Sequence, residues 1–469
     1  MRPRAGAWLL GAAFALAIAD SVYQIPIQVS DSLDVIVEAA ETPDAVTLFA
    51  AAVEGSSSTL RPLRYNQAQW LVWFADRTGL SYHHVFRGAH AILAAMIVLL
   101  LVHLVPTPTW PGVAALGVSL VIATGHHTFV ALLREAYPVN HYAQVTACGM
   151  MSYALARRRP GWPVDAALAI MLVYHLFLTE FAILLWVLVG TAYVVRLPGV
   201  RRSTVVVTTL LVGAWALTRL ALGIVAPAIG GQGSGFGGTY YEGAELNEMF
   251  GDRSLAFAAY NLVGSVASVL MSEPRHGVFV TLQAARTGAL QPVTVIHIAA
   301  SLAATMLLGW YLSRRLPRTR QHWGEPEQLV VMAVVMIVAS ALLTSSYVKD
   351  EMLSVGAIFS AAAASVALLS LFERANTVRW GSALLLAVSV ATGAALWSFR
   401  SVGVHYVLRS TAFVTRHDWS EDVRPHQFPR WSQTPAGLRI VADLREEVLM
   451  RPVAGRYRLP PWGDRFWGE

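Results

Sequence analysis

Residues 20–34 read DSVYQIPIQVSDSLD. They follow directly on an apolar segment, residues 7–19, and set three carboxylates, Asp20, Asp31 and Asp34, just beyond a membrane-length run. Pro26 stops any helix there, because its ring fixes φ and it has no N–H to donate. Ser30 offers an N-cap for a new helix starting near Asp31. The stretch therefore predicts a carboxylate held at the water–lipid boundary, at the mouth of a helical bundle.

The rest of the chain supplies that bundle. Of 469 residues, 55% are hydrophobic and only 14% charged, against nearly a quarter charged in a soluble domain. The apolar residues gather in runs close to the ~20 residues that span a bilayer. The fold class is an all-α integral membrane protein; a β-barrel would show short alternating segments instead. The net charge of +6 comes from Arg clusters between apolar runs, which reads as membrane topology and gives no reason to expect nucleic acid. Lys349 is the only lysine, and Cys148 the only cysteine, so no intrachain disulfide forms. The Arg-, Ala- and Val-rich composition and the absence of an Asn-x-Ser/Thr site point to a bacterial inner membrane.

Arg2 and Arg4 place the N-terminus in the cytoplasm. The same residues, with Ala17-Ile18-Ala19, also fit a cleavable signal peptide; the anchor reading is taken because the following stretch makes sense beside a span. Residues 20–82 form a first external loop with amphipathic pieces at 33–37, 45–53 and 68–74. Trp70 and Trp73 suit the headgroup level, so one or two surface helices are expected. Spans follow at 89–105, 113–129 and 142–155, the last ending at Arg157, Arg158 and Arg159. Residues 163–195 are flanked by cytoplasmic arginines on both sides, so they must go out and return as two short spans turning at Thr179-Glu180. Further spans lie at 204–225, 293–312, 329–344, 352–371 and 382–399. This makes about eleven spans, with a glycine-rich later external loop at 226–292 and a polar external tail. The domain division is 1–400 and 401–469, with the C-terminus outside.

Several residues carry candidate chemistry. Asp31 and Asp34 are three apart and share a helix face; either one can act as general base, and both can equally be N-terminal caps. Glu180 lies inside a long apolar stretch, where a carboxylate should face a cavity or a partner. External cations, Arg134, Arg219, Arg275, His276 and Lys349, are suited to a phosphate at the membrane surface. His126 and His127 lie on the same side. His83 and His90 are seven apart, yet no HExxH or CxxCH motif points to a metal or haem.

A cytoplasmic N-terminus, an acid in a large first external loop, surface helices after it, a mobile later loop and the Thr179-Glu180 turn together resemble the GT-C class of membrane glycosyltransferases. In the protein O-mannosyltransferase and aminoarabinose-transferase groups the first loop usually carries an Asp-Glu pair; here the matching position is Asp31-Ser32. The resemblance implies a polyprenyl-phosphate sugar donor, an acceptor glycan, lipid or protein, and transfer with inversion at the outer face. It implies the base role for Asp31, then Asp34, then Asp20. It implies donor-phosphate contacts at Lys349 and Arg134; Glu180, His126, His127, Arg275 and His276 are further substrate-binding candidates from their place on the same outer side. A divalent cation stays open, since some relatives need one and others do not. Two other classes compete: a transporter or lipid flippase, and a surface-polysaccharide polymerase or ligase.

Overall fold

The computed structural model describes residues 2–55, 61–134, 139–221, 250–251, 253–273, 277–315, 323–345, 348–375 and 380–451. Among these there is no strand. The helices are α1 Pro3–Tyr23, α2 Asp31–Glu41, α3 Ala45–Gly55, α4 Pro62–Thr78, α5 Tyr82–Leu104, α6 Trp110–Thr124, α7 His127–Arg134, α8 His141–Ala156 and α9 Trp162–Leu176. They continue as α10 Ile183–Val194, α11 Arg202–Ala221, α12 Ser254–Leu270, α13 Val278–Arg286, α14 Pro292–Arg315, α15 Glu325–Leu343, α16 Ser354–Ala375, α17 Trp380–Glu421 and α18 Pro435–Met450. Short 3-10 turns lie at Glu180–Ala182, Asp350–Leu353 and Pro425–Arg430.

Among the described residues, seven helices are long and apolar enough to cross a membrane: α1, α5, α11, α14, α15, the Asp350–Arg374 segment and α17. An eighth span results if α6 and α7, bent by 62° at a short break, act as one. This is a multi-pass helical membrane protein; the expected count of about eleven spans is not confirmed among the described residues. The difference lies in α8, α9 and α10, with 16, 15 and 12 residues. At 1.5 Å per residue, each falls short of a ~30 Å hydrocarbon core. Apolar side chains remain exposed along the longer helices: Leu16, Ile92, Leu210 and Leu384 all face outward. On a water-soluble chain such a surface invites association; around a bundle of spans it is the surface that lipid covers.

The core is made of close helix contacts. Alanines 361–364 of α16 are all buried. A Cβ on Gly356 would stand 2.8 Å from Ile337 Cα, so the α15–α16 backbones touch where only a hydrogen fits. Small residues allow this approach in spans, where apolar lipid gives helices little other reason to associate.

The bundle has two chemically distinct ends. At one, Arg157 pairs with Glu325 and donates to Leu104 O, and Arg201 pairs with Asp165. At the other end lie α2, α3 and α4, the Thr179-Glu180 turn, the Asp350–Leu353 turn and the start of α5.

Residues 401–451 do not form a separate tail. No proline interrupts α17 before residue 425, and the helix runs on for 42 residues. Arg409 pairs with Asp20 at 3.2 Å, and Trp419 Nε1 donates to Ile27 O. From α18, Glu447 accepts from the first N–H groups of α5 at 2.9 and 3.1 Å. Glu41 at the end of α2 accepts from Ser432 and Thr434 just ahead of α18. The C-terminal helices thus hold the first loop to the bundle. The end of the expected tail, residues 452–469, and the glycine-rich run at 230–243 lie outside the described residues.

Candidate functional site

Ser30 begins α2, its hydroxyl accepting weakly from Ser32 N at 3.5 Å. The buried positions Ser32, Leu33, Val35, Ile36, Val37 and Ala39 point inward. That leaves Asp31, Asp34 and Glu38 as one outward acidic stripe. Helix α4 crosses beside it and brings Arg64, whose Nη2 is 3.9 Å from Asp31 Oδ2. The Arg64 side chain is 11% exposed and that of Asp31 68%, so the cation is the anchored member of the pair.

The Asp34 carboxyl is held above the usual aspartate range. Burial is the larger cause, the Asp31 charge adds to it, and Arg64 opposes. Glu38 is pushed the same way by burial, then by Glu41 and Asp34. Acids crowded on one face keep their protons longer than isolated ones.

Behind the stripe, Arg61 grips Glu180 with two donors, its Nε at 2.7 Å from Oε2. A planar guanidinium matches a carboxylate in this forked way. This ties the entry of α4 to the α9–α10 turn, and Leu63 N donates to Phe177 O at the same place. Gln67 exchanges hydrogen bonds with Gln144 at 3.0 Å. His141, at the head of α8, is buried within the electrostatic reach of Arg64, Arg61 and Lys349. Arg219 acts on Glu180 from the end of α11. Glu351, 5% exposed, completes this charged end beside Tyr142.

The residues expected from sequence are distributed unevenly. Asp31, Asp34, Glu180 and Lys349 belong to this one region. Asp20 does not: it pairs with Arg409 and accepts from Gln24, on the α1–α17 side. Arg134 ends α7, and its carbonyl accepts from Arg87 at 3.4 Å. His126 and His127 are buried at the α6–α7 bend rather than presented on an open turn. His126 Nε2 is 3.2 Å from Val269 O, and His127 Nδ1 is 2.8 Å from Ser272 Oγ. His127 also lies 3.7 Å from Asp350. Arg275 and His276 lie outside the described residues.

Around Ser272 a second polar knot closes on Arg400. This guanidinium is fully buried, donates to Ser272 O, Ser272 Oγ and Ser301 Oγ, and stacks 3.9 Å from the Trp397 ring centroid. Below it an apolar cavity of about 250 Å³ opens between α12, α14 and α15, lined by Leu270, Leu308, Val330 and Ile337 among others. Among the described residues, no group of three or more His, Cys, Asp or Glu side chains converges as a metal site would require.

Sequence reasoning passed over Arg61 and Arg64. The available signal was RPLRY at residues 61–65: two arginines three apart with a proline at the first helical position, so both sit at one helix start. No protein-family model, curated protein or solved structure matches this chain.

Proposed function

We propose that the protein transfers a sugar from a polyprenyl-phosphate donor to an acceptor hydroxyl at one face of a bacterial inner membrane, as a glycosyltransferase of the GT-C type. The observation that carries this reading is the pairing of the Asp31/Asp34 stripe with Arg64, over a charged end containing Arg61, Lys349 and Glu180. A base and a set of cations lie together at the membrane boundary, where a lipid phosphate would sit.

The carboxylate of Asp34 takes the proton of the acceptor hydroxyl. The freed oxygen attacks the anomeric carbon from the face opposite the phosphate. The bond from that carbon to the phosphate oxygen breaks, and its electron pair leaves with the polyprenyl phosphate, so configuration inverts. Arg64 and Lys349 stabilise the departing charge. Asp34 is taken as the base because burial and the neighbouring Asp31 charge hold its carboxyl above the usual aspartate range. A transporter would need polar groups reachable from both ends, whereas this acidic and basic set gathers at one.

The test uses the full chain in proteoliposomes with a radiolabelled polyprenyl-phosphate hexose or pentose. Transfer to endogenous envelope acceptors is expected, with Asp34→Asn abolishing it at unchanged protein yield. Full transfer by Asp34→Asn, Asp31→Asn and the double variant removes the acid mechanism.

A further inference from the structure

The polar knot on Arg400 holds a directed chain of hydrogen bonds, apart from the Asp31/Asp34 stripe. Ser272 stands two residues past the end of α12 and is fully buried. Its Oγ is 2.9 Å from Arg400 Nη2 and 2.8 Å from His127 Nδ1. A guanidinium can only donate, so Ser272 Oγ accepts from Arg400. The hydroxyl proton then has two acceptors, His127 Nδ1 at 2.8 Å and Glu273 O at 3.4 Å. The shorter contact takes it. With Nδ1 accepting, the ring carries its proton on Nε2, which lies 3.7 Å from Asp350 Oδ1. Hydroxyl, imidazole and carboxylate thus follow each other in the order that activates a serine. The last contact is loose, as such contacts often are before substrate binds.

Separate elements hold the three members. His126 caps α7, its Nδ1 accepting from Thr128 N at 3.3 Å, while its Nε2 lies 3.2 Å from Val269 O. His127, the first residue of α7, turns to Ser272 instead. Gly277 closes over the ring: its φ is +66°, and a Cβ there would stand 2.9 Å from His127 Nε2. Asp350 opens the Asp350–Arg374 span, so the chain lies where an apolar run meets the interfacial layer.

The surroundings select the substrate. Ser301 Oγ donates to Ser272 O at 2.7 Å. One turn further along α14, Thr305 donates to Leu270 O, and both residues lie on the wall of the apolar cavity. That cavity therefore begins one helical turn from the serine. Val334 and Val338, also on its wall, are each 42% exposed, so it opens sideways towards lipid. An ester carbonyl at Ser272 could lay its acyl chain there. Water reaches the other end of the chain at Asp350, whose side chain is 16% exposed.

We propose that Ser272, His127 and Asp350 form a nucleophile, base and orienting carboxylate that hydrolyse long-chain acyl esters of membrane lipids. Ser272 Oγ gives its proton to His127 Nδ1 and bonds to the ester carbonyl carbon. Arg400 Nη2 is the donor at hand for the negative charge on the carbonyl oxygen. The bond from that carbon to the alcohol oxygen breaks, and the alcohol leaves with the proton from His127. Water then gives a proton to His127 and attacks the acyl-serine. Ser272 Oγ leaves, recovers that proton, and the fatty acid is freed. This activity does not rest on the transferase reading, and its assay contains no sugar donor.

The test uses the full chain in detergent micelles with hexadecyl fluorophosphonate, whose phosphorus bonds to an activated serine oxygen as fluoride leaves. The expected result is one phosphonyl group at Ser272, found by peptide mass mapping and lost in Ser272→Ala. A butyl analogue should react about tenfold more slowly, having fewer methylenes to bury; equal rates overturn the long-chain assignment. Asp350→Asn should slow labelling by about 10²-fold, and Asp350→Glu should restore it, as a merely structural contact would not. Labelled palmitate should be released from phosphatidylethanolamine by the natural chain; labelling without release overturns the hydrolase assignment. A natural chain that leaves Ser272 unmodified, or reacts only at other serines, overturns the proposal. That result needs no variant, so misfolding of Ser272→Ala cannot mask it.

Discussion

At the scale of single residues, the proposed transfer turns on which carboxylate would be the base and which would tune it. Asp34 and Asp31 are three residues apart, and Arg64 reaches both. The Asp31 charge raises the Asp34 pKa, and the Arg64 charge lowers it. If Asp34 is the base, activity needs it ionised and falls on the acid side as it takes up a proton. Asp31→Asn then removes a repelling charge, so the acidic limb of the rate profile should move to lower pH. Arg64→Gln removes an attracting charge, so the limb should move to higher pH. Both profiles can be read with the radiolabelled donor. A general base contributes about 10²–10⁴ in rate, so Asp34→Asn should cost at least that, while Asp31→Asn keeps measurable turnover. Loss of all turnover in Asp31→Asn alone would exchange the two roles. The spacing of these acids was legible in the sequence. Their partner was not, because nothing in a linear reading says that an arginine thirty positions later folds back to within reach.

At the scale of helices, the Arg61–Glu180 clamp joins the first loop to the α9–α10 turn. The side chains are 19% and 32% exposed, so removing one member strands the other away from full hydration. Arg61→Ala or Glu180→Ala should each destabilise by about 1–3 kcal/mol, the cost of leaving a buried hydrogen-bonding group unsatisfied. The double variant should lose less than the sum. Thermal unfolding in detergent measures all three, and simple additivity would show that the clamp contributes nothing as a pair. The turn itself was readable: arginines on both flanks of residues 163–195 demanded a hairpin, and Thr179 does accept from Phe181 N where it bends. The same reasoning failed at α17. A hydropathy reading stops the span at Arg400, because an arginine is expensive in lipid. That cost falls away when the guanidinium is enclosed by carbonyl and hydroxyl oxygens, as Arg400 is. With no proline to stop it, the helix continues.

At the scale of the whole molecule, the two ends differ in what their charges do. One end carries Arg157, Arg158, Arg201 and Arg202, with Arg4 close enough to His103 to act on it together with Arg157 and Arg158. The other carries the acidic stripe, the buried carboxylates and the C-terminal helices folded back on α2. Helix ends rich in arginine resist passage across the bilayer, which orients a multi-pass protein with those ends in the cytoplasm. The proposed orientation, with the arginine-rich end in the cytoplasm, is argued from the charge asymmetry and does not use the span count. Two cysteine variants in the Cys148→Ala background separate the faces: Trp162→Cys at the arginine-rich end and Asp44→Cys between α2 and α3, both at exposed positions. A membrane-impermeant maleimide applied to intact spheroplasts should label Asp44→Cys and reach Trp162→Cys only after lysis. The reverse pattern would put Asp34 and Arg64 in the cytoplasm. A donor presented at the outer leaflet would then never meet them, and a transferase reading would have to be built on a cytoplasmic substrate instead.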